Sequence, residues 1–394
     1  MNNESNTEIK LNPDQTKAVD YSVNKSLSIV TGGAGTGKTT LVKEIIEQTK
    51  NGKSQLALCC PTGKAAARLR EATERDTSTI HRLLGYNGRS FSVKSLSGLH
   101  LIIDEASMVD SSLMAEIIRR NPDRLTLIGD AAQLPPVGNG QPFHDMVNLR
   151  PDLTAKLTIC YRASEAIYKA GAAVREGLQP ETAQSENEWF EMRGTGDMDA
   201  TWKYLETLID AGEIDFQKDI VVCCKNDHVQ EINKRMVAKF GRTADDAKWA
   251  IGDRIICLKN FASSDIWNGT TGTISAIDTQ GRAWVKGDIP FWDAEKGEYV
   301  QEAVWGKAIL QESQHAYSLT VHKSQGSQYR KVFFAAIQGG PFVHRALVYT
   351  AITRAKKECH VIGNIAAFRN GINKVASKWT VLQELARRQK ISSK

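Results

Sequence analysis

Two stretches of this chain carry the groups that phosphate chemistry needs: Gly32 to Thr39, which reads GGAGTGKT, and the adjacent carboxylates Asp104 and Glu105. Glycines without a Cβ let successive backbone N–H groups turn inward around phosphate oxygens, with a helix dipole behind them. Gly33, Gly35, Thr36, Gly37 and Thr40 are therefore expected to border a nucleoside triphosphate. Lys38 can place its ammonium on the outer phosphates, and Thr39 can offer a hydroxyl to Mg²⁺. Asp104 and Glu105 close an apolar run, and buried carboxylates need a partner. Asp104 is expected to hold Mg²⁺, directly or through water, and Glu105 to polarise the attacking water.

Other side chains have chemistry that depends on where the chain puts them. Gln133 follows Leu125-Thr126-Leu127-Ile128-Gly129-Asp130, so its amide sits past a strand end, where it can touch a γ-phosphate. Gln15 carries one donor and one acceptor that match the edge of adenine; taken alone it reads as a surface glutamine. Arg162 and Arg354 read alone as solvent-facing cations. An arginine supplied to a triphosphate from a second domain contributes about 10³ to 10⁵ in rate in comparable enzymes.

The elements that must position these groups follow from local pattern. Asn12 is a candidate N-cap with Pro13 at the first helical position. Leu27 to Val30 forms a strand before the glycine loop, and Leu41 to Ile46 a helix after it. Gln55 to Cys60 forms a second strand that turns at Pro61 into a second helix. This βαβ alternation predicts a parallel sheet with ligands at the carboxyl ends of its strands. Thr62, Gly63 and Lys64 open that second helix, where they can hold another phosphate or simply cap it. Gly85 to Ser95, with its Asn87-Gly88 turn and Phe91, predicts a small hairpin standing off the sheet. From Leu157 a second unit is expected, with strands at 219–224 and 331–337. Between them, 245–315 reads as a small barrel of short strands. Residues 317–326 then present hydroxyl, imidazole and amide groups suited to phosphates or bases. An amphipathic helix over 346–355 presents Arg354 at its polar end.

With 51 Lys and Arg against 45 Asp and Glu, the net charge of +6 is compatible with a polyanionic partner but does not by itself argue for one. Seven cysteines lie mostly in apolar runs without metal-ligand spacing and read as reduced thiols. The polar start and the lack of a long apolar stretch predict no membrane association and a cytoplasmic protein.

In order and wording, the motifs GGAGTGKTT, PTGKAA, TIHRLL, IIDEAS, GDAAQLPPVG, YRAS, TVHKSQGSQY and YTAITRAKK resemble the superfamily 1B DNA helicases of the RecD and Dda type, from Leu11 to about His360. The resemblance implies an α/β fold of two RecA-like P-loop domains clamping ATP. The first spans 1–156 with a hairpin insert at about 85–98; the second spans 157–244 and 316–394, with an SH3-like barrel insert at 245–315. It implies Gln15 on adenine, Gln133 on the γ-phosphate, and Arg162 and Arg354 as the cations from the second domain. It places Pro61, Thr62, Gly63, Lys64, Thr79 and His81 on DNA in the first domain, and Thr320, His322 and Lys323 in the second. Phe91 is the strand-separating candidate. The implied partners are single-stranded DNA and its junctions with duplex, and the implied activity is 5′ to 3′ unwinding by a monomer, bacterial or phage-encoded. Two alternatives share these motifs: a single-strand-stimulated translocase that does not unwind, and an RNA-directed motor.

Overall fold

The computed structural model describes residues 11–50, 54–161, 165–185, 188–242, 248–261, 264, 266–293, 296–338, 340, 342–376, 378, 380 and 382–383. In the first unit the chain runs α1 (Pro13–Asn24), β1 (Leu27–Gly32), α2 (Lys38–Thr49), β2 (Gln55–Cys60), α3 (Gly63–Thr73), β3 (Thr77–Thr79) and α4 (Ile80–Leu83). It continues through β4 (Leu99–Ile103), α5 (Ser111–Ile118), β5 (Arg124–Gly129), α6 (Pro142–Leu149) and β6 (Thr154–Leu157). Among the described residues these strands form a six-stranded parallel sheet in the order β3-β2-β4-β5-β1-β6. Apolar clusters cover both its faces, one built on Val30, Leu41 and Ile102, the other on Ile29, Leu101 and Phe143. That two-sided burial is why its central strands are mostly apolar rather than alternating. Asn12 and Gln15 cap α1 reciprocally, each side-chain oxygen accepting the other's backbone N–H, at 2.9 and 3.1 Å.

Two sequence expectations for this unit change. Leu157, expected to open the second unit, closes β6, which pairs with β1. Residues 158–161 stay with the first unit too: Thr158 N–H donates to Asp14 Oδ2 at 3.0 Å and Tyr161 N–H to the Gly35 carbonyl at 2.8 Å. The expected hairpin is a single antiparallel bridge, Tyr86 to Phe91, turned by Asn87, whose Oδ1 accepts from the N–H groups of Arg89 and Ser90. It lies down on the sheet because Phe91 and Val93 pack against the core and Leu96 is buried in it.

The second unit runs α7 (Glu165–Glu176), β7 (Ala183–Ser185), β8 (Glu188–Gly194), α8 (Met198–Asp210), β9 (Ile220–Cys223) and α9 (Asn226–Lys239). An inserted segment follows: β10 (Arg254–Cys257), β11 (Thr271–Ile277), β12 (Ala283–Asp293), β13 (Glu298–Trp305), α10 (Lys307–Gln311) and β14 (Ser313–His315). The unit resumes with β15 (Ser318–Thr320), β16 (Tyr329–Ala336), α11 (Arg345–Ile352), β17 (Ala355–Gly363) and α12 (Ile365–Asn373). Its sheet has the order β15-β9-β16-β17-β8-β7, parallel except for β7. Sequence pattern missed β8 because Glu188, Glu191 and Arg193 interrupt it. Glu191 is accommodated by His360, whose Nδ1 lies 2.8 Å from its Oε1.

The insert is an antiparallel sheet in the order β13-β12-β11-β10-β14, its register shifting twice, with Trp305, Val285 and Phe291 in its core. Its first and last strands, β10 and β14, pair with each other, Ile255 opposite His315. Asp253 rivets this neck, accepting from Arg242 Nη1 at 2.8 Å, Ala250 N–H at 2.8 Å and Tyr317 O–H at 2.9 Å, with His315 Nε2 at 3.2 Å. Burial alone would raise its pKa, but the bonds to His315 and Arg242 prevail and hold it at about 2. No helix among the described residues is long and apolar enough to cross a membrane.

Candidate nucleotide cleft and nucleic-acid groove

The glycine loop leaves β1 and enters α2 through Gly35 at φ +82° and Gly37 at φ +80°, conformations that side chains rarely adopt. α2 begins at Lys38 with no side-chain cap, so its first N–H groups are left to the loop. Lys38 Nζ donates to the carbonyls of Gly32 and Gly33, at 2.8 and 2.9 Å. A cleft of about 700 Å³ opens beside it, bordered by Gly35, Gly37, Lys38, Thr39, Asp104, Glu105 and Gln133 from the first unit. Arg354, Gln328 and Gly326 face them from the second. The structure thus gathers the loop, the carboxylate pair, Gln133 and Arg354 around one space; Arg162 lies outside the described residues.

The carboxylates sit where burial sharpens their chemistry. Asp104 Oδ1 accepts the Glu105 N–H at 2.8 Å. Burial first, and then the neighbouring Glu105 charge, push its pKa up to about 6, with Lys38 opposing. Glu105 has φ +54°, a left-handed backbone unusual for a non-glycine residue, and its Oε2 is buried without a hydrogen-bond partner among the described residues. Arg354 is only 3% exposed, and its three hydrogen bonds go to neutral oxygens, at Thr350, Ser327 and Thr353. A buried guanidinium held by neutral groups at a cleft wall is suited to an anion.

Four nucleotide-site expectations are modified. Gln15 is buried under Gly37, its Oε1 engaged by Asn12 N–H and its Nε2 donating to the Thr36 carbonyl at 3.4 Å, so both ends of the amide serve the fold. Thr36 Oγ1 donates to the Gly33 carbonyl at 2.9 Å and shapes the loop from within. Thr40 lies a residue beyond the cleft lining, as does Gly33, whose Cα faces the second unit's Tyr349.

A second, larger groove, about 1270 Å³, runs along Pro61, Thr62, Gly63, Lys64, Thr79 and His81 of the first unit. His322, Lys323 and Gln325 border it from the second. Thr62 and Thr79 cap α3 and α4, their hydroxyls accepting from Ala65 and Arg82 N–H at 3.2 and 3.1 Å. Both readings of Thr62 therefore coexist: it caps a helix at the groove. Burial lowers the pKa of His81, His322 and Lys323, which favours their neutral forms.

Here too the structure corrects the sequence. Thr320 is buried outside the groove lining, and its Oγ1 accepts the Lys323 N–H at 3.2 Å, shaping the loop that carries Lys323. Phe91 is half-buried, in ring contact with His81 and Tyr86 and beneath the Arg120 guanidinium, 5.4 Å from its centroid. Tyr86, 45% exposed, is the hairpin aromatic that borders the groove. Lys64 is 5% exposed and donates through Nζ to Thr271 Oγ1 of the insert at 2.8 Å, near Asp288.

Burial lowers the Lys64 pKa from the usual 10.5 to about 7, with Asp288 opposing and Arg68 and Arg254 assisting. The unfolded chain therefore binds more protons between those two values, so the destabilisation from Lys64 is complete below pH 7 and fades as pH rises towards 10.5. Lys64→Met is expected to melt above the wild type at pH 7, with the gap narrowing in thermal melts repeated towards pH 10. A gap that widens with pH would reject this assignment.

Sequence reasoning also missed Arg68, whose Nη1 donates to the Gly326 carbonyl across the two units and which borders the nucleotide cleft. Its signal was the i,i+4 spacing from Lys64 on one helix face. Trp267 and Trp292 of the insert border the groove as well. Trp267 was legible as an aromatic beside the Asn268-Gly269 turn, but only the fold brings it against Gly63.

A family model described as an AAA domain matches residues 10–194, and one described as a UvrD-like helicase C-terminal domain matches residues 315–362. The ATP-dependent RecD2 DNA helicase of Deinococcus radiodurans is 31% identical over 374 residues, which cover 91% of this chain and 50% of the relative. The RecBCD enzyme subunit RecD of Mycobacterium tuberculosis is 29% identical over 415 residues, 91% of this chain and 70% of that one. The chain thus spans half the length of the first relative. Crystal structures of Pif1 helicase from Bacteroides, in complex with ADP-AlF3 and ssDNA, and from Candida albicans share the fold, each with a TM-score of 0.58. They are 19% and 18% identical, the alignments covering 98% of this chain and 98% and 99% of theirs. Motif order, fold and sequence likeness agree in supporting similarity to the RecD-type helicases of superfamily 1B.

Proposed function

We propose that the chain is an ATP-driven DNA helicase that moves 5′ to 3′ along single-stranded DNA and separates duplex ahead of it. The observation that carries this reading is the loop at 320–326: Gly326 borders the nucleotide cleft while His322, Lys323 and Gln325 border the groove. Opening and closing of the cleft must move that loop, so two grips on a strand can alternate in strength. The names of the RecD2 relative and of the Pif1 structure with bound ssDNA support the DNA reading.

In this reading Lys38 and the loop N–H groups hold the triphosphate, with Gln15 beneath the adenine side after its amide is released from Asn12. Glu105 orients the attacking water through its unpartnered Oε2, Gln133 contacts the γ-phosphate, and Arg354 and Arg162 neutralise the transferring group. Thr39 and Asp104 supply the hard oxygen donors that Mg²⁺ requires, and the orphaned oxygen of Glu105 is compatible with a cation nearby. Bound there, Mg²⁺ would neutralise charge on the β- and γ-phosphate oxygens. The antiparallel insert acts as the SH3-like domain of the family. Both walls of the cleft come from one chain, which supports action as a monomer. A cytoplasmic, bacterial or phage-encoded setting accompanies this reading.

Unwinding of 5′-tailed against 3′-tailed duplexes, on DNA and RNA tracks, tests the proposal. Separation of the 5′-tailed DNA alone is expected, with binding that weakens steeply with salt as counterions are released. Equal action on both polarities removes the directional claim, and preference for RNA tracks replaces the substrate.

A translocase that does not unwind is the second reading, favoured by the low-lying hairpin. Phe91→Ala is expected to cost about 1 to 3 kcal/mol of stability, since a half-buried ring and its contact with Arg120 are lost. Tyr86→Ala is expected to leave the melting temperature in place and to slow unwinding, because stacking on a base contributes about 1 to 3 kcal/mol. Unchanged unwinding in a folded Tyr86→Ala would favour the translocase.

A further inference from the structure

One contact between the two α/β units beside the phosphate loop is a buried hydrogen-bonded chain. Asp130 ends the run after β5 and is 2% exposed. Its Oδ2 accepts from Gln133 Nε2 at 3.2 Å and from the hydroxyl of Tyr349, on α11 of the second unit, at 2.9 Å. Its Oδ1 accepts the Ala132 N–H at 3.1 Å. The next residue of α11 reaches the same segment: Thr350 Oγ1 accepts the Leu134 N–H at 3.0 Å. A Cβ on Gly33 would stand 3.0 Å from the Tyr349 oxygen, so the hydroxyl also abuts the phosphate loop. Tyr349 is 4% exposed.

These bonds have a directional consequence. A buried carboxylate oxygen holding two donors is fixed in rotation, and the Gln133 amide is fixed with it. One of the two donors belongs to the other unit. When the units part, Asp130 loses the phenol and keeps only the Ala132 N–H and the Gln133 amide, so Gln133 is held less firmly in its orientation. α11 leads directly into Arg354, so the helix that delivers the phenol to Asp130 delivers the guanidinium to the cleft.

Resting on the assignment of Gln133 to the γ-phosphate given above, we propose that Tyr349 is a positioning residue. Its hydroxyl, through Asp130, aims Gln133 only when the two units are closed on each other. Nucleotide chemistry and domain closure are then reported to each other by three side chains, and strand binding that favours the closed state raises turnover through them.

Tyr349→Phe in the full chain tests this, with ATP hydrolysis measured against rising oligo-dT. The ring still fills its site, so KM for ATP is expected to hold and the melting temperature to fall only modestly, from the lost bond to a buried carboxylate. DNA-stimulated kcat is expected to fall about tenfold, within the usual range of coupling between sites. Asp130→Asn, which keeps an acceptor and the volume, is the second variant and is expected to lose DNA-stimulated turnover in the same way, whether or not Tyr349→Phe folds. Combined with Gln133→Ala, Tyr349→Phe should add little further loss, since both act on one unit. Wild-type stimulation in a folded Tyr349→Phe, a loss confined to KM, or additive losses in the double variant would overturn the positioning role. A wild type indifferent to oligo-dT would instead overturn the motor reading itself, so the two failures are distinct.

Discussion

Replacing Arg354 by alanine is expected to lower ATP turnover by about 10³- to 10⁵-fold, the range that a supplied arginine contributes to phosphoryl transfer. The guanidinium is buried at the cleft wall among neutral acceptors, so its charge is available where negative charge develops. Truncation also leaves the carbonyls of Thr350 and Ser327 without this donor, which costs about 1 to 3 kcal/mol. Phosphate release must therefore be read beside a melting curve. Arg354→Lys restores charge without the planar fork and should recover only part of the rate. Turnover within tenfold of wild type in a folded Arg354→Ala would remove Arg354 from the reaction.

Glu105→Gln is expected to reduce turnover by about 10²- to 10⁴-fold while ATP continues to bind. The amide keeps the shape and the same left-handed backbone, so folding should be unchanged; what disappears is the oxygen that accepts a proton. A fluorescent nucleotide titration beside single-turnover hydrolysis separates the two effects. A weakened affinity with an unchanged chemical step would place Glu105 in binding instead.

The cleft was legible because its residues sit at strand ends and helix starts, where local sequence dictates position. Gly35 and Gly37 fix a left-handed loop, and Asp104 and Glu105 follow a strand apolar at four of its five positions. What local pattern does not encode is which neighbour claims a polar group after folding. Gln15 has the same amide whether it meets adenine or Asn12. Lys64 reads as a phosphate ligand until β11 arrives from more than two hundred residues away and presents Thr271. Phe91 reads as a protruding aromatic, yet a short bridge cannot lift it clear of a core that already holds Val93 and Leu96. Thr320 and Thr36 illustrate the same limit: a hydroxyl beside a loop is as useful for bending the loop as for touching what the loop binds.

The paired ends of the insert give it a property of a different kind. Ile255 lies opposite His315 in one antiparallel ladder, so the chain departs and returns at adjacent points, with Asp253 holding both strands. Everything between is, topologically, a cassette. A two-residue reverse turn could join the ladder there, leaving β9, β15 and β16 with their register partners intact. The sheet beneath can therefore keep its register whatever stands between those two strands, and a protein engineer can exchange the module at this one doorway.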